Sequence, residues 1–325
     1  MTQGSTASNN APHDTSLQHS SLVQLGQALR QLGYRFTTVT PLTHQRVNAR
    51  SGNEFAAHLR DVFGWSRPFK RDVLNDHLLT LLREADSLED RPDGWISKVR
   101  WSSLHGQLFV HSGFPTQEQD AVFFGPDSYR FVQALLGHLH DDSRPNLRVA
   151  DIGCGAGVGA ITAALEKPDA EVLALDINPK ALEYTAVNAA LAGATNVQAV
   201  HSDLLSQVAG EFDLIIANPP YMADAEGRAY RDGGGEHGAD LSIAIVDAAL
   251  ERLAPGGTLL LYTGVAMFEG DDPFLAAVRP HLHAAAFDWQ YWEMDPDVFG
   301  EELLEPTYAR AERIAAVVLR VTRPR

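Results

Sequence analysis

Cysteine is almost absent. Cys154 is the only one in 325 residues, so no internal disulfide can form, and a reduced, cytoplasmic setting is expected. No apolar run approaches the roughly 18 residues that a membrane-spanning helix needs, so no membrane partner is expected. The opening stretch MTQGSTASNNAPHDTSLQHS has neither a basic start nor an apolar core, which argues against a secretory signal. Its small polar composition predicts a disordered tail over residues 1–18. Basic residues are scarce: 26 Lys and Arg stand against 42 Asp and Glu, for a net charge of −16. Proteins that neutralise phosphate usually show a basic face, so nucleic acid is disfavoured as a partner. The stretch DWQYWEMDPDVFGEELLEP, Asp288 to Pro306, carries acid and no base. It reads as a solvated surface, or as a negative rim that favours neutral or cationic acceptors.

Two kinds of pattern divide the chain. In the first part, Leu22, Leu25, Leu29 and Leu32 share one helical face that stops at Gly33. Phe55, Leu59, Val62 and Phe63 share another that stops at Gly64, with Asn53 as its N-cap. Leu74, Leu78, Leu81, Leu82 and Ala85 form a third. WISKVRWSSLHGQLFVHS then predicts a hairpin, whose Arg100 and Trp101 would serve nucleic acid if they formed a basic, aromatic face. Three helices and a hairpin could form a winged helix, but the third helix mixes both charges and makes a poor DNA reader. Residues 19–120 are therefore taken as a packing and substrate-selecting domain. From about Pro145 the runs LRVADIG, EVLALDI, NVQAVHS, FDLIIANP and TLLLYTG alternate with helical stretches. Continuous apolar strands alternating with helices predict a doubly wound α/β sheet, and residues 121–325 are taken as the catalytic domain.

The chemistry sits at strand ends. VADIGCGAGVGA turns from a strand into a helix, and Gly153, Gly155 and Gly157 allow a tight turn and a close ligand. Asp176 ends the second strand about 20 residues later, where an acid can accept both ribose hydroxyls. This pattern fits an adenosine cofactor and does not separate NAD from S-adenosylmethionine. Asp203, after the third strand, could receive an adenine amino group or cap a helix over LLSQVAG. Asp151, Ile177 and Leu204 complete the cofactor-binding candidates. The fourth strand decides between the cofactors. It runs into Asn218, Pro219, Pro220 and Tyr221, and two prolines can continue neither a helix nor a central ladder. Hydride transfer has no use for this group. Methyl transfer to a planar nitrogen does: the Asn218 side-chain oxygen and the Pro219 carbonyl could accept both hydrogens of one NH2 group, with Tyr221 stacked on the substrate. HLHDD and HLH, at His138 and His281, sit at helix ends without a second ligand cluster, so no metal is expected.

The order DIGCGAG, LDINP, HSD, NPPY resembles class I S-adenosylmethionine-dependent methyltransferases, and more narrowly the NPPY N-methyltransferases. These include the HemK/PrmC-type glutamine methyltransferases of release factors and the adenine N-methyltransferases. The resemblance spans residues 121–325 and implies a Rossmann-like seven-stranded sheet whose last strand, RIAAVVLRVTR, is antiparallel. It also places FFGPDSYRF where release-factor methyltransferases carry a proline-acid motif, with G-P-D-S in place of the usual R-P-E-T. Asp127 and Tyr129 there, with Pro220 and Gly234 of the RDGGGEHGADLS loop, are the substrate-side candidates. The implied activity is N-methylation of a protein glutamine amide. The alternatives are a small-molecule amine or amide, the exocyclic amine of adenine in RNA or DNA, and a cofactor-binding module without catalysis.

Overall fold

The computed structural model describes residues 15–224, 227–228, 230–284 and 286–325. Four helices come first: α1 (Thr15–Gln31), α2 (Pro41–Asn48), α3 (Leu59–Phe63) and α4 (Asp76–Glu84). Two short hairpins follow, β1 (Leu88–Arg91) with β2 (Gly94–Ser97), and β3 (Val99–Leu104) with β4 (Gln107–Ser112). Next come α5 (Pro126–Asp141), β5 (Arg148–Ile152), α6 (Val158–Glu166), β6 (Glu171–Asp176), α7 (Pro179–Ala192), β7 (Val197–His201) and β8 (Phe212–Ala217). The chain closes with α8 (Asp240–Arg252), β9 (Leu253–Met267), α9 (Pro273–Ala284), β10 (Asp288–Asp295) and β11 (Arg313–Thr322).

One seven-stranded sheet has the order β7-β6-β5-β8-β9-β11-β10. The first five strands are mutually parallel, and β11 runs antiparallel between β9 and β10. Alternate residues of each strand feed two separate apolar layers. Leu214 and Ile216 join the layer shared with α5, α6, α7 and the N-terminal elements; Ile215 and Ala217 join the layer under α8 and α9. Burial on both faces is why β5, β6, β8, β9 and β11 read as apolar runs, whereas the edge strands β7 and β10 are only partly covered and carry polar residues. The parallel order brings the carboxyl ends of β5, β6, β7 and β8 to one edge, where open α/β sheets bind ligands.

The N-terminal elements pack directly on this sheet's helices. Asn188 of α7 brackets Val110 of β4, accepting from its N–H at 2.8 Å and donating to its carbonyl at 3.1 Å. Gly26 of α1 lets Leu191 and Trp101 close in; a Cβ there would lie 2.6 Å from the leucine and 2.8 Å from the indole.

Several expectations need correcting. The helix over Phe55–Phe63 is only Leu59–Phe63, and His58 with Asp61 caps it. Asn53 instead turns its amide back to the Val47 carbonyl at 2.7 Å, and Phe55 is exposed. α2 was not expected: Thr40 caps it and Pro41 opens it, but His44 is its one buried residue, so it has no apolar stripe to read. WIS is a separate strand from VRW and pairs with β1, while VRW pairs with VHS of β4 as expected, making two hairpins of one. Arg100 and Trp101 form no exposed face. Trp101 is 0% exposed, and Arg100 is buried with Nη1 3.3 Å from His44 Nδ1. Within the expected tail, residues 1–14 lie outside the described residues, and Thr15–Gln18 open α1. No helix among the described residues is long and apolar enough to cross a membrane.

Candidate active site

A cavity of about 1480 Å³, part of it open to solvent, lies at the carboxyl edge of β5, β6, β7 and β8. Its floor is the turn from β5 into α6. Gly153 and Gly155 have φ of +68° and +54°, and a Cβ at either would meet nothing within 4 Å. Any side chain there would be strained and would occupy the open space. Gly157 differs: it does not line the cavity, and a Cβ there would strike the Thr185 hydroxyl at 2.8 Å. Its lack of a side chain serves the packing of Thr185.

Two carboxylates brace this floor. Asp151 accepts from the Ala160 N–H at 2.7 Å, which ties the strand end to the first turn of α6. Burial, with Asp176 nearby, pushes its carboxyl up to about 7 against the pull of that N–H. Asp176 accepts from the Gly155 N–H at 2.9 Å through one oxygen and from the Asn178 N–H at 2.9 Å through the other. Burial raises its pKa, opposed by those N–H groups. Each oxygen keeps a spare lone pair. Beside it, Ile177 is 54% exposed and lines the cavity. Asp203 and Leu204 line the same end. The segment after Asp203 is a series of turns, not a helix, so Asp203 does not serve as a helix cap.

Asn218 follows directly on β8, where Ala217 is paired with Ile152 and Leu261 on either side. Its carboxamide makes no hydrogen bond among the described residues, and neither does the Pro219 carbonyl. Asn218, Pro219, Pro220 and Tyr221 all line the cavity. Tyr221 is held from two sides. Its ring is buried against Gly264, and its hydroxyl donates to Asp127 Oδ2 at 2.7 Å. Asp127 also lines the cavity but is itself buried, and its pKa is raised by burial against the hydroxyls of Tyr262 and Tyr221. Tyr129 points to the N-terminal part, where its hydroxyl accepts from the Thr38 N–H at 3.0 Å. Gly234 lies off the cavity, with its N–H on Asp232 Oδ1 at 3.0 Å.

Other lining residues come from segments far apart in the chain: Pro41 of α2, Phe123, Tyr230, Arg231, Leu241 and Phe299. Phe123 lies within FFGPDSYRF and Phe299 within the acidic stretch, but nothing in either stretch signals that the two rings meet one cavity.

A family profile described as the methyltransferase small domain matches residues 121–267. A release factor glutamine methyltransferase of Deinococcus radiodurans is 33% identical over 242 residues, covering 71% of this chain and 79% of that one. The chain belongs to that family. A second relative of the same description, from Neisseria gonorrhoeae, is 36% identical over 205 residues, 56% of this chain and 68% of its own. Among solved structures, the SAM-dependent methyltransferase from Agrobacterium tumefaciens aligns with a TM-score of 0.49 at 18% identity, covering 74% of this chain and 75% of that one. The protein is thus a methyltransferase, and S-adenosylmethionine is its cofactor. The cavity fits that molecule. Bare glycines leave room at the floor, Asp176 has lone pairs for a ribose diol, and Ile177 and Leu204 offer apolar surface to a flat base.

Proposed function

We propose that this methyltransferase acts on the side-chain amide nitrogen of a protein glutamine, as the description of its relatives indicates for them. The observation that carries this reading is the pair of unused acceptors, the Asn218 carboxamide oxygen and the Pro219 carbonyl, at the lip of the glycine-floored cavity. An amide nitrogen shares its lone pair with the carbonyl and is a poor nucleophile. Two acceptors on its two hydrogens orient the pair and favour a more tetrahedral nitrogen, so that positioning supplies most of the rate. The bound cofactor supplies an electrophilic methyl group. Asp151, Gly153, Gly155, Asp176, Ile177, Asp203 and Leu204 hold the cofactor, while Asn218 also faces it. The new N–C bond would form as the methyl–sulfur bond breaks, with its electron pair left on sulfur, and the nitrogen would then give up one proton to water, so no strong base is required. Asp127 cannot serve as that base in its present state, because two tyrosine hydroxyls and Arg130 occupy it.

In this reading, residues 121–325 form the catalytic domain and residues 19–120 select the substrate. Pro41 is the contact through which the second reaches the cavity. The setting is cytoplasmic, and the acidic balance turns nucleic acid away. Incubation with methyl-labelled cofactor and separated pools of release factor, other protein, RNA, DNA and metabolites tests the acceptor. Label on a release-factor glutamine, located by peptide mapping, is expected. Label confined to nucleic acid or metabolites contradicts the reading.

A further inference from the structure

Four elements meet at one buried carboxylate. Asp127, in the first turn of α5, is 3% exposed. Tyr221, at the end of the Asn218 turn, donates to its Oδ2 at 2.7 Å. Tyr262, from β9, donates to its Oδ1 at 2.6 Å. Arg130 Nη1 lies 3.3 Å from the same oxygen, and its Nη2 donates to Asp295 Oδ2 of β10 at 2.8 Å. A carboxylate taken out of water is costly unless its oxygens are used, and short O–H···O⁻ bonds are among the strongest available. The Tyr221 ring is held on two further sides. It lies on Gly264, where a Cβ would come within 2.1 Å of the ring, and it meets the Phe299 ring at a centroid distance of 6.1 Å.

We propose that Asp127 is a positioning residue for methyl transfer: through the Tyr221 hydroxyl it sets where the Asn218–Pro219 acceptors stand at the sheet edge. Only Pro219 and Pro220 separate Asn218 from Tyr221, and their locked φ angles transmit a shift at one end to the other. β8 fixes the turn from the Asn218 side, and Asp127 fixes it from the Tyr221 side. The inference rests on reading Asn218 as the grip on the acceptor.

Tyr221→Phe removes one hydroxyl and keeps the ring; Asp127→Asn removes the charge. With release factor as acceptor, both are expected to lower kcat about 10- to 100-fold, with KM for S-adenosylmethionine within about two-fold of wild type. The double variant is expected to be no slower than the slower single one, because both break the same link. Amide hydrogen exchange at Met222 and Gly233, whose N–H groups bond Arg231 and Met222 carbonyls next to the turn, is expected to quicken in both. Tyr291→Phe is the control. It removes a tyrosine–carboxylate bond, to Asp272, away from the cavity, and is expected to lower Tm while kcat stays near wild type. Unchanged kcat and exchange in Tyr221→Phe overturns the proposal, and so does equal loss of turnover in Tyr291→Phe, which marks a general effect of lost stability. If Asp127→Asn does not fold, Tyr221→Phe alone decides. If the wild type methylates no release factor, the acceptor reading fails, while the exchange comparison still tests the positioning claim.

Discussion

Asp176 shows how a single side chain serves two tasks. Both its oxygens hold backbone N–H groups that shape the glycine turn, and both keep capacity for a diol. Asp176→Ala should raise the Kd for S-adenosylmethionine about 10-fold or more, since it removes hydrogen bonds to a charged acceptor. Calorimetric titration checks this, and equal affinity contradicts it. Gly153→Ala places a methyl in the cavity at a φ that L-residues avoid, so it should weaken the same binding while kcat at saturating cofactor falls less. At this scale the sequence was readable where a residue's chemistry needs no neighbour: glycine at a tight turn, acid at a strand end, Asn-Pro-Pro after an apolar run. It is silent where the partner lies far away. Nothing near Tyr221 in the chain announces that Asp127, 94 positions earlier, accepts from its hydroxyl.

Among elements, the central strands were legible because both faces are buried, and α2 was not because its anchor is a histidine. Arginine only donates, so Arg100 Nη1 at 3.3 Å makes His44 Nδ1 the acceptor, leaving Nε2 to donate to the Trp65 carbonyl at 2.8 Å. His44 is therefore neutral. Burial first, and then the charges of Arg100 and Arg67, lower its pKa from 6.5 to about 4, against the pull of the Trp65 carbonyl. The unfolded chain binds this proton more readily than the folded one, so stability is lost as pH falls from about 6.5 towards about 4. Between about pH 7.5 and pH 5, the wild type should lose about 2 kcal/mol more than His44→Gln. Urea unfolding at the two pH values measures this, and parallel losses in the two proteins contradict it. The over-long second helix has a similar lesson. Asn53 and Phe55 suit a helix start by type, but the His58–Asp61 pair takes the cap further along.

Over the whole molecule, one apolar layer runs from α1 and the β3–β4 hairpin through α7 into the sheet, with Trp101 and Leu191 in contact around Gly26. Trp101→Ala should therefore cost about 3–5 kcal/mol and lower one calorimetric transition for the entire chain. A separate early transition for the N-terminal part contradicts that. This continuity, and the gathering of Pro41, Phe123, Tyr230 and Phe299 around one cavity, depend on how distant segments close in space, so periodicity along the chain cannot announce them. The account as a whole rests on Asn218 holding the acceptor nitrogen. Its most direct test is a single-turnover methyl transfer to release factor, comparing wild type with Asn218→Ala after each is saturated with S-adenosylmethionine. A rate lower by on the order of 100-fold at unchanged cofactor Kd is expected; a wild-type rate in Asn218→Ala contradicts the account.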